Sequence, residues 1–243
     1  MKYIVCFCLT SALLFSAACS RAADEISFFS LFPSLDLKNW TISSGWTNGP
    51  HQSCEWRSDA VSVSGNDLQL TLSDKGGQVS KYGCAEIHTN ALSGFGHYAA
   101  RMRTAAGSGL NTAFFTYIGP PTGSKQWDEI DFEFLGKDPH TVQLNYYTEG
   151  KPLDGTVIQL GFDASREFHD YSFDWQLGKI TWYVDGKKVH ETPTGANLPS
   201  HPGRIYLSLW SGSASEDAWL GHFDYKIPVL AYVSWVKYTP AKQ

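Results

Sequence analysis

Trp127-Asp128-Glu129-Ile130-Asp131-Phe132-Glu133-Phe134 decides how this chain is read. Three carboxylates fall at i, i+2 and i+4, with Ile and Phe between them. Successive side chains of a β-strand point to opposite faces, so Glu129, Asp131 and Glu133 share one face with Trp127. Asp128, Ile130, Phe132 and Phe134 take the other. Three ionised carboxylates in a row repel one another, and at least one must keep its proton to a higher pH. A solvated strand of no special use also alternates acidic and apolar residues. Against that, only 18% of the chain is charged, yet three acids gather on one side of one strand beside a Trp. An arrangement that costs stability needs a use. Glycoside hydrolysis supplies one, because it requires a carboxylate and a carboxylic acid flanking the same bond.

Working outward, short alternating segments recur with turn signals between them. Asp67–Leu72, His97–Met102 and Val142–Tyr147 are examples. Ile180–Val184 runs into Asp185-Gly186 and then Lys187–His190, a hairpin signal because both turn positions need φ > 0. Helical periodicity is nearly absent. With 14% aromatic residues, 22 Gly and 11 Pro, the pattern predicts an all-β chain of two packed antiparallel sheets or a barrel. Several strands carry a polar and aromatic face: Phe115 with Tyr117, Gln143 with Asn145 and Tyr147, and Tyr206 with Ser208 and Trp210. The aliphatic partners Ile205, Leu207 and Leu209 fit a core. The other set suits a groove floor that stacks sugars and hydrogen-bonds their hydroxyls.

At the N-terminus, Lys2 precedes the apolar run Tyr3 to Phe15, and Ala17, Ala18, Ala22 and Ala23 follow. Residues 1–23 are therefore expected to be a secretory signal peptide, and 24–243 a single domain. The run is too short to cross a membrane comfortably. Cys19 follows Ser16-Ala17-Ala18, without the Leu usual three residues before a lipidated Cys, so no membrane attachment is expected unless Cys19 is lipidated. The protein is expected to be secreted or periplasmic, and monomeric. Residues 24–243 keep 17 Lys and Arg against 24 Asp and Glu, a net charge of −7. That acidic balance argues against nucleic acid and anionic membranes, but not against neutral polysaccharide. Cys54 and Cys84 remain after the leader and read as one disulfide in an exported protein. No second cysteine pair or histidine cluster accompanies them to suggest a metal site.

The segment Trp127 to Asp138 closely resembles the signature of glycoside hydrolase family 16, in its bacterial lichenase branch of endo-β-1,3-1,4-glucanases. Further similar stretches are Ala113 to Pro120, Gln143 to Tyr147, Phe173 to Gly186 and Trp219-Leu220-Gly221. Gly45 to Cys54 looks most like a subgroup of rhizobial exopolysaccharide glycanases, which implies succinoglycan-like polymers beside mixed-linkage glucans. The resemblance implies a concanavalin A-like jelly-roll sandwich with a concave substrate cleft and a retaining double displacement. It makes Glu129 the nucleophile, Glu133 the acid and then the base, and Asp131 the residue that tunes both. It carries substrate contacts onto Asn48, Glu86, Phe115, Tyr117, Trp127, Asn145, Tyr147, Trp210 and Trp219, and it too pairs Cys54 with Cys84. His88 stands where lichenases often carry Arg, and Ser208 and Ser211 stand where they carry Asn. Ser234 stands where they place the Asp of a structural calcium site, which counts against calcium, and no cofactor is expected.

Two other readings share the sandwich. A lectin-like binding domain needs rings and amides but not three aligned acids. A transglycosylase forms the same intermediate and passes it to a sugar; xyloglucan transferases carry a C-terminal extension with more cysteines that this sequence lacks. Hydrolysis is the expectation.

Overall fold

Alternation builds the strands it announces. The computed structural model describes residues 27–119, 125–226 and 228–242, so the expected leader and Cys19 lie outside the described residues. In chain order the first strands are β1 (Phe28–Leu31), β2 (Trp40–Ile42), β3 (Cys54–Trp56), β4 (Val61–Ser64), β5 (Asp67–Leu72), β6 (Tyr82–Thr89), β7 (Gly96–Arg103) and β8 (Leu110–Ile118). There follow β9 (Asp128–Leu135), β10 (Thr141–Thr148), β11 (Lys151–Pro152), β12 (Thr156–Gln159), β13 (His169–Gln176), β14 (Lys179–Val184), β15 (Lys187–Glu191), β16 (Arg204–Ser211) and β17 (Val229–Pro240). A single turn of helix, α1 (Asp217–Leu220), precedes the last strand.

The strands form two sheets packed face to face, a jelly-roll sandwich. The front sheet runs β11-β10-β9-β8-β16-β6-β2, with β12 beside β10 and β3 beside β6. The back sheet runs β15-β14-β13-β7-β17-β5-β4, with β1 beside β17. The expected antiparallel pairing holds except between β3 and β6, which are parallel. The chain leaves β3 for the β4–β5 hairpin of the other sheet before returning as β6, and such a crossover is what parallel pairing needs. The Asp185-Gly186 hairpin forms as the sequence implies, with φ of 48° and 74° at its two turn residues.

The core fills the space between the sheets. Ile130, Phe132 and Phe134 of β9 point into it and are buried. Phe132 stacks on Phe114 of β8 with centroids 6.2 Å apart and meets Phe173 of β13 across the sandwich. Removing each such side chain from water contributes about 1.5–3 kcal/mol. Trp182 of β14 adds a polar anchor: its Nε1 donates to the Asp131 carbonyl at 3.2 Å. Apolar packing and this bond thus clamp β9 from behind, which fixes what its other face presents.

Cys54 and Cys84 form the disulfide, with Cα atoms 5.7 Å apart. It ties β3 to β6 and so holds the Gly45–Ser53 loop near the front sheet. Gln52, itself buried, donates from Nε2 to the Cys54 carbonyl at 2.9 Å.

Candidate active site

The face of β9 turned away from the core carries Glu129, Asp131 and Glu133. Strand register arranges them into rows across the front sheet. Tyr147, Glu129 and Tyr117 form one row, on β10, β9 and β8. Asn145, Asp131, Phe115, Tyr206 and His88 form the next, reaching β16 and β6. Gln143, Glu133, Ala113, Ser208 and Glu86 form the third. Alternation on five strands therefore gives one continuous polar and aromatic surface. Apart from Gln143, Asn145 and His88 it floors an open cleft of about 630 Å³.

Each acid has its own partners. Trp127 Nε1 donates to Glu129 Oε2 at 2.7 Å. Trp127 can approach because Gly119, at φ 151°, leaves the room: a Cβ there would lie 2.7 Å from the Trp127 Cα. Its indole stacks on the Tyr147 ring at 5.4 Å and 7°. Glu129 also takes a hydrogen bond from Asp131. Asn111 Nδ2 donates to Glu133 Oε1 at 3.2 Å. Ser43 Oγ donates to Glu86 Oε1 at 2.6 Å.

Burial raises every one of these carboxyls, because the charged form loses water. Glu129 is pushed up to about 7, with the bonds from Trp127 and Asp131 opposing the rise. Glu133 goes further, to about 8, through burial and then the charge of Glu129, against the Asn111 bond. Asp131 is raised well above the usual range by burial and by both neighbouring glutamates, so it keeps its proton and donates it toward Glu129. Glu86 reaches about 7, again chiefly through burial. Of the two glutamates that flank Asp131, Glu129 is thus the one more readily held as an anion and Glu133 the one more readily held as an acid, the division that a reaction with one nucleophile and one proton donor requires.

Of the expected substrate contacts, Asn48, Glu86, Phe115, Tyr117, Trp127, Tyr147, Trp210 and Trp219 all border the cleft. Asn145 does not: it is buried, and its Oδ1 accepts the Tyr146 and Asp154 N–H groups at 2.9 and 3.3 Å. Trp219 comes from α1, where Gln143 Oε1 accepts its Nε1–H at 2.8 Å. Its ring lies 6.1 Å from that of Trp210. Trp46 and His51 reach the rim from the loop before β3, and Tyr206 stacks on Phe115 at 4.9 Å. The sequence reading passed over Asn111, although it shares strand parity with Phe115 and Tyr117. His88 lies outside the cleft lining and packs on Tyr206 at 4.9 Å.

Four carboxyls and no Lys or Arg line the cleft among the described residues. A strongly anionic ligand would meet repulsion there, whereas a neutral chain of hydroxyls meets acceptors and rings. Ser234 is the extra residue of a bulge in β17 between Val233 and Trp235 and offers no carboxylate. Among the described residues no group of three or more His, Cys, Asp or Glu side chains could hold a metal ion.

Known proteins share this architecture. A β-glucanase of Paenibacillus macerans is 44% identical over 98% of this chain and 99% of its own. The endo-1,3-1,4-β-glycanase ExoK of Rhizobium meliloti is 41% identical over 88% of this chain and 79% of its own. The crystal structure of a prokaryotic β-1,3-1,4-glucanase (lichenase) derived from a mouse hindgut metagenome superposes with a TM-score of 0.83 at 39% identity, covering 88% of this chain and 99% of that one. Residues 48–227 match the glycosyl hydrolases family 16. Sandwich, acidic strand and relatives agree, and the chain belongs to glycosyl hydrolase family 16.

Proposed function

We propose that this glycoside hydrolase is an exported, retaining endo-β-1,3-1,4-glucanase. The observation that carries the reading is the unequal support of the two glutamates. Glu129 takes a short bond from the Trp127 indole at 2.7 Å, whereas Glu133 takes a longer one from the Asn111 amide at 3.2 Å and is raised further by its neighbour's charge. In the reaction, Glu133 gives its proton to the glycosidic oxygen as that bond breaks. Glu129 attacks the anomeric carbon and forms a glycosyl ester. Glu133, now ionised, takes a proton from water, which attacks the same carbon and releases Glu129. Asp131 stays protonated and steadies Glu129 in both steps. Trp210, Trp219, Tyr147 and Phe115 offer faces for sugar rings, and Glu86 and Asn48 offer hydrogen bonds to hydroxyls. No step is routed through a metal.

The acidic cleft favours a neutral polymer such as mixed-linkage glucan over one that carries negatively charged substituents. Release of reducing ends from mixed-linkage glucan, a succinoglycan-like polymer, laminarin and carboxymethyl-cellulose tests the reading, with Glu129→Gln alongside. Cleavage of mixed-linkage glucan that disappears in the variant supports it. Retained binding with no cleavage by the unaltered protein would replace hydrolysis with a lectin-like role. Products longer than the starting chains would replace it with transglycosylation.

A further inference from the structure

Asn111 is the cleft's least expected polar group. It opens β8 on the cleft face, opposite Trp210 of β16 and Leu135 of β9. It is 1% exposed, yet it borders the cleft. Its Nδ2 reaches diagonally across the strand pair to Glu133 Oε1 at 3.2 Å. Its Oδ1 is buried and has no partner. A buried acceptor left unpaired is unfavourable, and folded proteins seldom keep one without a use. The donors that can enter this cleft are water and the hydroxyls of a sugar chain.

We propose that Asn111 is a positioning residue for the acid/base Glu133 and that its free Oδ1 accepts a hydroxyl of the bound polysaccharide. One planar amide then links the two events. A sugar hydroxyl on Oδ1 fixes the amide plane, and the fixed plane directs Nδ2 at Oε1. The other Glu133 oxygen remains available for the glycosidic oxygen. When Glu133 loses its proton, the Nδ2 bond strengthens, because a donor to a charged acceptor is worth more than one to a neutral acid. The inference rests on the acid/base assignment made above.

Titratable groups that line the cleft with Glu133 are Glu129 and Asp131 on its own strand, Tyr117 on β8, Tyr147 on β10, Tyr206 on β16, Glu86 on β6 and His51 on the loop before β3. None of these is altered by Asn111→Leu, whereas Asn111→Asp adds a carboxyl beside Glu133. Asn111→Leu removes both amide functions, whereas Asn111→Asp keeps an acceptor toward the cleft and removes the donor. With mixed-linkage glucan, Asn111→Leu should lower kcat about tenfold and raise KM several-fold, the scale of one lost charged hydrogen bond and one lost sugar contact. Asn111→Asp should keep KM within about twofold and lose kcat, because the acceptor survives. In both, the alkaline limb of kcat/KM should move to higher pH, since the donor favours the ionised carboxyl.

A second readout needs no substrate: the titration of Glu133 by carbon NMR in protein labelled at glutamate carboxyls, which should shift upward in Asn111→Ala, where the donor is lost and no charge is added. Wild-type kcat, KM and alkaline limb in a folded Asn111→Leu variant would overturn the inference. If that variant does not fold, an unmoved Glu133 titration in the smaller Asn111→Ala overturns it. An unaltered protein that cleaves no glucan would instead overturn the proposed function, and the NMR titration would still judge the Asn111–Glu133 contact.

Discussion

Replacing Trp127 with Phe isolates the contact that keeps Glu129 usable as an anion. The variant keeps an aromatic face for Tyr147 while it removes the indole N–H, which sits 2.7 Å from Glu129 Oε2, together with part of the bicyclic ring. A hydrogen bond to a charged group contributes about 1.5–3 kcal/mol, and one pKa unit corresponds to about 1.4 kcal/mol. Loss of the donor therefore raises the Glu129 carboxyl by about one to two units. The Asp131 bond survives and water can enter the half-buried cleft, so the lower figure, about one unit, is the expected one. The sign is fixed: the donor stabilises the ionised form, so its removal favours the proton. Burial already holds this carboxyl at about 7, and the acid limb of kcat/KM should move upward from there, toward the limb set by Glu133. The bell narrows, and at about pH 6 the loss from ionisation alone is about tenfold. The assay is kcat/KM against pH at constant ionic strength, with a chromogenic mixed-linkage oligosaccharide. An acid limb that stays in place or moves downward would refute the reasoning.

Other perturbations test other links. Glu133 has a folded-state pKa raised to about 8, so its contribution to stability is full below the unfolded value near 4.5 and is lost as pH rises to about 8. Glu133→Gln should therefore melt higher than the unaltered protein, by a margin that grows between about pH 5 and pH 8; a margin that shrinks over that range would contradict the burial argument. Converting Cys54 and Cys84 to Ser should cost about 3.5 kcal/mol on the chain-entropy account, which lowers Tm by roughly 7–14 °C in calorimetry. A change below about 2 °C would mean that the loop is held by other contacts, such as those of Gln52. Glu86→Ala should raise KM about tenfold and leave kcat nearly unchanged, because this carboxyl binds sugar without touching the reacting bond. A matched fall in kcat with KM unchanged would place it in the chemistry instead.

Much of the site was written in strand parity. Glu129, Asp131 and Glu133 alternate with Ile130 and Phe132, and the two sets go to cleft and core as period two requires. The same logic found Phe115, Tyr117, Tyr147 and Trp210, whose sequence neighbours Phe114, Thr116, Tyr146, Thr148, Leu209 and Ser211 are buried. Asp185-Gly186 announced its hairpin because few other pairs tolerate two positive φ values. What the sequence could not supply is reach between strands. Asn111 has the right parity, but its role depends on a diagonal contact with β9, which only the register of β8 against β9 sets. Asn145 has the right parity too, yet Asp154 returns on the next turn and occupies its oxygen. The parallel pairing of β3 with β6 depends on a crossover through the other sheet, and no local signal reports it. The separation of Glu129 from Glu133 in acidity arises likewise from partners on other elements.

The central claim is that Glu129 attacks the anomeric carbon from the face opposite the leaving group. The most direct measurement is the configuration of the product when Glu129→Ala is given an activated β-glucosyl oligosaccharide and azide. With the carboxylate gone, azide fits the vacated space and attacks from the same face, so the account predicts an α-glycosyl azide and restored turnover. A β-glycosyl azide from this variant would mean that a covalent intermediate still forms without Glu129, and the assignment of the nucleophile would be wrong.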